Sequence, residues 1–302
     1  METGSKSLGI ITYIDDTPAM REEFTWLYKS WIYSGCWKRS DLVIAHHPAL
    51  RGTFPDEPGL ITLPVLPYSQ TEPLFENYHF INSIACLSGA HINDLLRQYR
   101  WLLRTDADVF LTHYLADFEP IYPVHGRGNY HFRADFREKM LDFCKRHNVR
   151  HDHRFGCGHS VMLDSDKMIA FLDRQMHWAR MLAEDFGPDK ANWGTWPGWY
   201  RSVLSMYAAE IAANERWGDY LQNCRERVLD MESNNDGFID GLTLHIHATA
   251  GSTCFSKYKY RQGEYDAIQP DELDRRRVGE YCLWIAKMDI NALKVLAGYG
   301  YE

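Results

Sequence analysis

Residues 8–14, Leu8-Gly9-Ile10-Ile11-Thr12-Tyr13-Ile14, form an almost unbroken apolar run near the start of the chain. A short run of this kind reads as a buried strand. Pro18 then opens a helix, a position proline tolerates because the first N–H groups of a helix have no partner. That helix runs to about residue 33 and ends at Gly35. Residues 41–46 predict a second strand. Residues 59–66 predict a third, demoted at its end by Pro64, which cannot donate to a ladder. Helices are predicted over 78–87 and 91–99, and a fourth strand over 100–105. This β-α-β alternation predicts an α/β fold with a mostly parallel central sheet flanked by helices. Ligands in such sheets bind beyond the carboxyl ends of the strands.

The second half continues the pattern less regularly. A Gly/aromatic loop over 123–132 leads to a helix over 136–147. A strand over 155–163 is entered through Gly156 and Gly158, and a long helix follows over 166–185. An aromatic loop over 192–200 leads into a helix over 200–214. A late strand is predicted over 242–247, and 271–296 reads as mostly helical and charged on one side. No repeat, low-complexity tract or linker interrupts the chain, so 1–302 is expected to be a single domain.

Composition narrows the class. The 302 residues are 45% hydrophobic, enough for one large α/β domain. The net charge of -8, with no long basic run, argues against a nucleic-acid partner. No apolar stretch reaches the roughly 18 residues of a transmembrane helix. Met1–Lys6 is polar, and 8–14 is too short for a signal peptide's apolar region. Seven cysteines without paired spacing read as reduced thiols. The expectation is a cytoplasmic protein, or the soluble part of a lumenal enzyme. Its oligomeric state is not legible.

The candidate chemistry starts at Arg104-Thr105-Asp106-Ala107-Asp108-Val109-Phe110. Side chains at i and i+2 of an extended segment point the same way, so both carboxylates can converge on one cation. Such hard oxygen ligands suit Mg²⁺ or Mn²⁺, which keep positions open for water and substrate phosphates. A solvated turn is the plain alternative. Apolar runs on both sides, however, put the pair at the edge of a core, where unpaired charge is costly.

This segment resembles the Asp-x-Asp motif of glycosyltransferases with the GT-A fold, and the resemblance extends over about residues 8–260. It rests on three features in order: the strand-end Asp106 and Asp108, the Gly-rich strand entry at 156–158, and a late His followed by Lys. The resemblance implies a Rossmann-like fold with a donor half over about 8–115, an acceptor half over about 116–260 and a helical extension over about 261–302. It implies a nucleotide-sugar donor, UDP-linked first and GDP-linked next. It also implies Mn²⁺ or Mg²⁺ held by Asp106 and Asp108, and a glycan or small-molecule acceptor.

His245-Ile246-His247 and Gly251 precede Lys257, a spacing similar to but longer than the His-x-x-Gly-x-x-Lys of glycogenin-like enzymes. His245 or His247 could then be the third metal ligand, with His247 preferred. Lys257, or Lys259, would meet the diphosphate as a point charge. Glu210, with Asn214 four residues on, resembles the Asp-Glu-x-x-x-Asn element of blood-group A/B-type transferases, although Ala209 replaces the first acid. Glu210 is thus a candidate catalytic carboxylate, or a helix carboxylate paired with Arg201 or Arg216. Asp164, Asp185 and Asp189 are its rivals.

By position, Thr12, Tyr13, Ile14 and Asp15 or Asp16 are candidate contacts to the nucleotide, with Asn82 and Arg104 beside the donor. Gly158 and His159 are candidates for close approach to donor or acceptor, since glycine lets backbone come near a ligand. Trp193, Trp196 and Trp199 are a candidate acceptor-sugar platform.

Two further functions remain in view. A sugar nucleotidyltransferase uses similar carboxylates, but Asp15-Asp16-Thr17-Pro18 replaces the Gly-rich loop expected after its first strand. A non-catalytic carbohydrate-binding module would leave the acidic pair without a task. Glu232 to Asp240 resembles a calcium loop but offers Thr243 where the bidentate Glu belongs. The Cys/His run from Cys144 to His159 fits no common zinc spacing.

Overall fold

A computed structural model describes residues 6–121, 123–128, 130, 132–196, 198–219, 222–223, 228–251 and 253–300. All but Lys6 of the polar N-terminal segment, and residues 129 and 131 of the Gly/aromatic loop, lie outside the described residues.

The first half runs β1 (Leu8–Ile14), α1 (Pro18–Tyr33), β2 (Ser40–His46), β3 (Leu60–Pro64), α2 (Tyr68–Thr71), α3 (Asn82–Ala85), α4 (Ala90–Leu96), β4 (Trp101–Arg104) and β5 (Val109–Leu111). The second runs β6 (Val124–Arg127), α5 (Ala134–Arg146), β7 (Cys157–Asp164), α6 (Ser165–Phe186), α7 (Leu204–Trp217), β8 (Gln222–Asn223), β9 (Met231–Glu232), β10 (His245–His247), α8 (Lys257–Arg261), α9 (Val278–Lys287) and α10 (Ile290–Leu296).

Local chemistry sets several of these boundaries. Thr17 caps α1 by accepting the Met20 N–H, and Pro18 fills its first turn. Gly35 beyond its end takes a φ of 79°, a conformation glycine adopts freely. Asp164 ends β7 and caps α6 by accepting the Lys167 N–H.

The main sheet has the order β3-β2-β1-β4-β7-β6-β8. β3, β2, β1 and β4 are parallel, and β7 runs antiparallel to both of its neighbours. The fold is therefore the expected α/β type, with a mostly parallel sheet. Every residue of β1 is buried. Its alternate side chains enter two different cores, Ile11 and Tyr13 on one face and Leu8, Ile10 and Ile14 on the other. That is how a strand covered by helices on both faces is filled. A second sheet, β5-β10-β9, packs with α9 around Trp26, Phe110 and Ile246.

Some expected elements differ. The helix over 78–87 is a 3-10 turn followed by the four-residue α3, and the helix over 200–214 starts at Leu204 after another 3-10 turn. β6 lies inside the stretch read as a loop. Gly126 and Gly128 mask its strand pattern, because glycine weakens the apolar alternation by which a strand is recognised.

Candidate active site

The parallel register of β1 and β4 pairs Ile11 with Arg104. β1 runs on through Tyr13 to Ile14 and the chain after β4 runs on to Asp106, so both end at the same edge of the sheet. A cavity of about 490 Å³ opens there, lined among others by Tyr13, Asp106, Asp108, His159, His247 and Lys257. It lies beyond the carboxyl ends of the strands, where sheets of this type bind ligands.

The chain turns between β4 and β5 through the acidic pair. β5 then pairs antiparallel with β10, setting His247 opposite Val109, and the Ala248 N–H bonds the Asp108 carbonyl at 2.8 Å. This register carries the His247 side chain to the carboxylate before Val109. Asp106, Asp108 and His247 each offer a ligand atom, and these atoms lie within 4.8 Å of one another. Two carboxylates and an imidazole fit a hard divalent cation with positions left over.

The site is electrostatically tight. Asp108 Oδ2 lies 3.1 Å from His247 Nε2 and accepts from Lys257 Nζ at 2.5 Å. Burial alone would raise the Asp108 carboxyl, but the His247 and Lys257 charges outweigh it and hold the group well below the usual range. Burial would likewise lower His247, yet Asp108 raises it to about 10. Lys257 is the first residue of α8, and Arg261 at its far end docks α8 on α1 through Glu22 at 2.7 Å and Glu23 at 2.6 Å. Glu23 also lies 3.7 Å from Lys257 Nζ. Burial and the Asp108 charge raise its carboxyl, against Lys257 and Arg261.

His159 Nδ1 lies 2.9 Å from Asp106 and 3.2 Å from the Arg104 guanidinium. A carboxylate only accepts and a guanidinium only donates, so one tautomer satisfies one of these contacts. Arg104 is buried beneath His159 and donates to its carbonyl. Burial pulls Arg104 down to about 10, with Asp106 and Asp230 opposing.

His245, the alternative ligand, is spent elsewhere. Its Nδ1 accepts the Asp230 N–H at 3.0 Å, and its Nε2 meets Thr105 Oγ1 at 2.6 Å. Lys259 pairs with Glu264 at 3.2 Å.

Other expected residues are not brought to the cavity. Glu210 is fully buried and does not line it. Its oxygens accept from Tyr130 Oη at 2.9 Å and the Gly156 N–H at 2.6 Å, and its Oε1 lies 3.1 Å from His151 Nε2. Those partners take the place of the expected arginine. Asp189 is exposed and caps a turn by accepting the Ala191 N–H. Trp199 is buried, stacked on Tyr207 at 4.8 Å. Trp193 lies under Arg201 at 4.2 Å, and of the three tryptophans only Trp196 is largely exposed. Thr12 and Ile14 are fully buried, while Asp16 is exposed and paired with Arg21. Asn82 is buried and joins Asp15, at 3.4 Å, to Ser69. Gly158 meets the neighbouring strand: a Cβ there would lie 2.5 Å from the Gly126 carbonyl carbon.

Glu23, Arg261 and Asp230 also line the cavity, and no motif in the sequence singles them out. The flanking Leu229 and Met231, both buried, are a weak signal for Asp230. Nothing local marks Glu23 among the charges of α1.

Comparison with curated proteins gives no match. Among solved structures, the chain is similar to the apo form of the bifunctional glycosyltransferase WbbM, at 11% identity and a TM-score of 0.47, covering 100% of this chain and 53% of that one. It is also similar to the glycosyltransferase GlyE of Streptococcus pneumoniae TIGR4, at 11% identity and a TM-score of 0.46, covering 96% and 62%. The chain thus spans less than two thirds of either structure. One family model, described as "Domain of unknown function (DUF7164)", matches residues 34–296, and the chain belongs to that family.

Proposed function

We propose that this protein is a GT-A-type glycosyltransferase that moves a sugar from a nucleotide-sugar, UDP-linked or GDP-linked, to a hydroxyl acceptor. The observation that carries this reading is the convergence of Asp106, Asp108 and His247 from distant parts of the chain at one strand-end cavity, with Lys257 beside them. The donor set suits Mn²⁺ or Mg²⁺, which when bound would neutralise charge on a departing nucleoside diphosphate.

The protein's own groups divide the remaining work. Lys257 supplies a fixed positive charge toward the phosphates, held in place because Arg261 anchors α8 to α1. Tyr13 lines the cavity with a buried hydroxyl that has no partner among the described residues. Burial raises its pKa, so it stays a neutral O–H donor for the nucleotide. Phe80 is 63% exposed on the cavity wall and offers a ring face to a sugar. It would take the role expected of the tryptophan loop.

The test is incubation of the protein with a panel of UDP- and GDP-hexoses, Mn²⁺ and methyl glycosides. Release of nucleoside diphosphate with a new glycoside supports transfer. Pyrophosphate from sugar 1-phosphate and nucleoside triphosphate would instead identify a nucleotidyltransferase.

A further inference from the structure

We propose that Asp230 is the carboxylate that takes the proton from the acceptor hydroxyl, an assignment that rests on the transfer reading above. The cavity is lined by five carboxylates: Asp15, Glu23, Asp106, Asp108 and Asp230. Asp106 and Asp108 belong to the candidate metal group. Glu23 is held between Arg261 and Lys257. Asp15 is fixed by its bonds from the Asp16 N–H at 3.0 Å and Asn82 Nδ2 at 3.4 Å. Asp15 and Asp230 both stand outside the metal group and meet no lysine or arginine within ion-pair distance, among the described residues. Asp15 follows β1 two residues after Tyr13, at the strand end that the transfer reading gives to the nucleotide, which leaves Asp230 for the acceptor.

The backbone around Asp230 is built to hold that carboxylate in place. Asp230 has a φ of 58°, a left-handed conformation that a residue other than glycine keeps only when its surroundings impose it. Its N–H is taken by the buried His245, and its Oδ1 accepts from Ser160 Oγ at 2.6 Å. Its Oδ2 receives only a 3.3 Å contact from the Ser160 N–H, leaving capacity for another donor. Two glycines make the space this oxygen occupies. A Cβ on Gly126 would lie 1.6 Å from Oδ2, and one on Gly158 2.5 Å from it. β10 therefore serves two tasks, with His247 directed to the acidic pair and His245 to Asp230.

In the step assigned here, the acceptor O–H bond breaks and its proton passes to Asp230 Oδ2. The freed electron pair forms the new bond to the anomeric carbon. The bond from that carbon to the diphosphate oxygen breaks, and its electron pair leaves with the nucleoside diphosphate. The anomeric configuration inverts.

The test compares wild type, Asp230→Asn and Asp230→Gly on the nucleotide-sugar and methyl-glycoside panel, with thermal shifts for UDP or GDP plus Mn²⁺ run in parallel. Loss of a general base lowers the rate by about 10²–10⁴-fold. The expected result is a kcat loss of that size in both variants. Donor KM should change by less than about threefold, since only a transition-state interaction is removed. The metal-dependent nucleotide shift should persist, and the product should be inverted. Asp230→Gly guards against misfolding, because glycine adopts the positive φ freely.

Transfer by either variant at the wild-type rate would overturn the assignment while leaving the transfer reading intact. So would a retained configuration, or loss of nucleotide binding together with transfer. A wild type that neither releases nucleotide from any donor nor binds a diphosphate would end both readings.

Discussion

His247 Nε2 lies 3.1 Å from Asp108 Oδ2 although 139 residues separate the two in sequence. The antiparallel register of β5 and β10 produces this contact, and with it the three-ligand group. If that group holds the catalytic cation, Asp108→Ala should lower transfer by about 10²–10³-fold, the rate equivalent of several kcal/mol of lost charge stabilisation. Nucleoside diphosphate release measures this, and an undiminished rate would exclude the metal role.

Glu210 should act on stability instead of chemistry. Its fully buried carboxylate is engaged by Tyr130, Gly156 and His151. Glu210→Gln leaves at least one of these partners with poorer geometry, and a buried group left unsatisfied costs about 1–3 kcal/mol. Urea unfolding should show a loss in that range, while kcat of the folded variant stays within about threefold of wild type. A rate loss of 10²-fold or more at unchanged stability would restore Glu210 as a catalytic residue.

Gly158 should tolerate no side chain. A Cβ there would meet the Gly126 carbonyl carbon and Asp230 Oδ2, each at 2.5 Å. The first is backbone and cannot swing aside. Gly158→Ala should therefore cost about 1–3 kcal/mol as an overpacked substitution, and should also displace Asp230 and slow transfer. Unfolding midpoints and the release assay read the two effects separately.

The first half of the fold was legible because its signals are local. β1 is an apolar run of the right length, α1 has its Thr17 cap and Pro18, and Asp106 and Asp108 follow a buried strand directly. His247 was reachable too, since Gly251 and Lys257 follow it in the order of the His-Gly-Lys pattern it resembles. Asp230 was not, because its place depends on Gly126, Gly158 and Ser160, which lie on two strands far from it in sequence. Glu210 shows a related ambiguity. A carboxylate in an apolar helix signals a buried partner, but the sequence cannot tell a catalytic partner from the Tyr130 hydroxyl and the Gly156 N–H. The tryptophan loop is ambiguous in the same way, because Trp199 turns into the core against Tyr207 and Phe186, while the exposed rings at the cavity include Phe80 and Tyr258.

Acid should unfold the protein partly through His125. It is fully buried, with neither ring nitrogen partnered among the described residues. Burial first, and the Arg104 charge second, push its pKa down to about 3. The folded state thus keeps His125 neutral, while the unfolded chain takes up a proton near pH 6.5. The unfolded state binds more protons between those values, so stability falls as pH drops below about 6.5, by up to about 1.4 kcal/mol per unit. His125→Phe should flatten that slope by about one proton in urea unfolding between pH 7 and 5. An unchanged slope would contradict this account of His125.

A metal-dependent nucleotide site should show itself in the thermal unfolding of wild type and Asp108→Ala with UDP or GDP, in Mn²⁺ or in EDTA. A ligand that binds the native state stabilises it by about 2.7 kcal/mol at 100 times its Kd. One diphosphate should raise the wild-type midpoint in Mn²⁺ only, and Asp108→Ala should abolish the shift. An equal shift in EDTA, or none with either nucleotide, would contradict such a site.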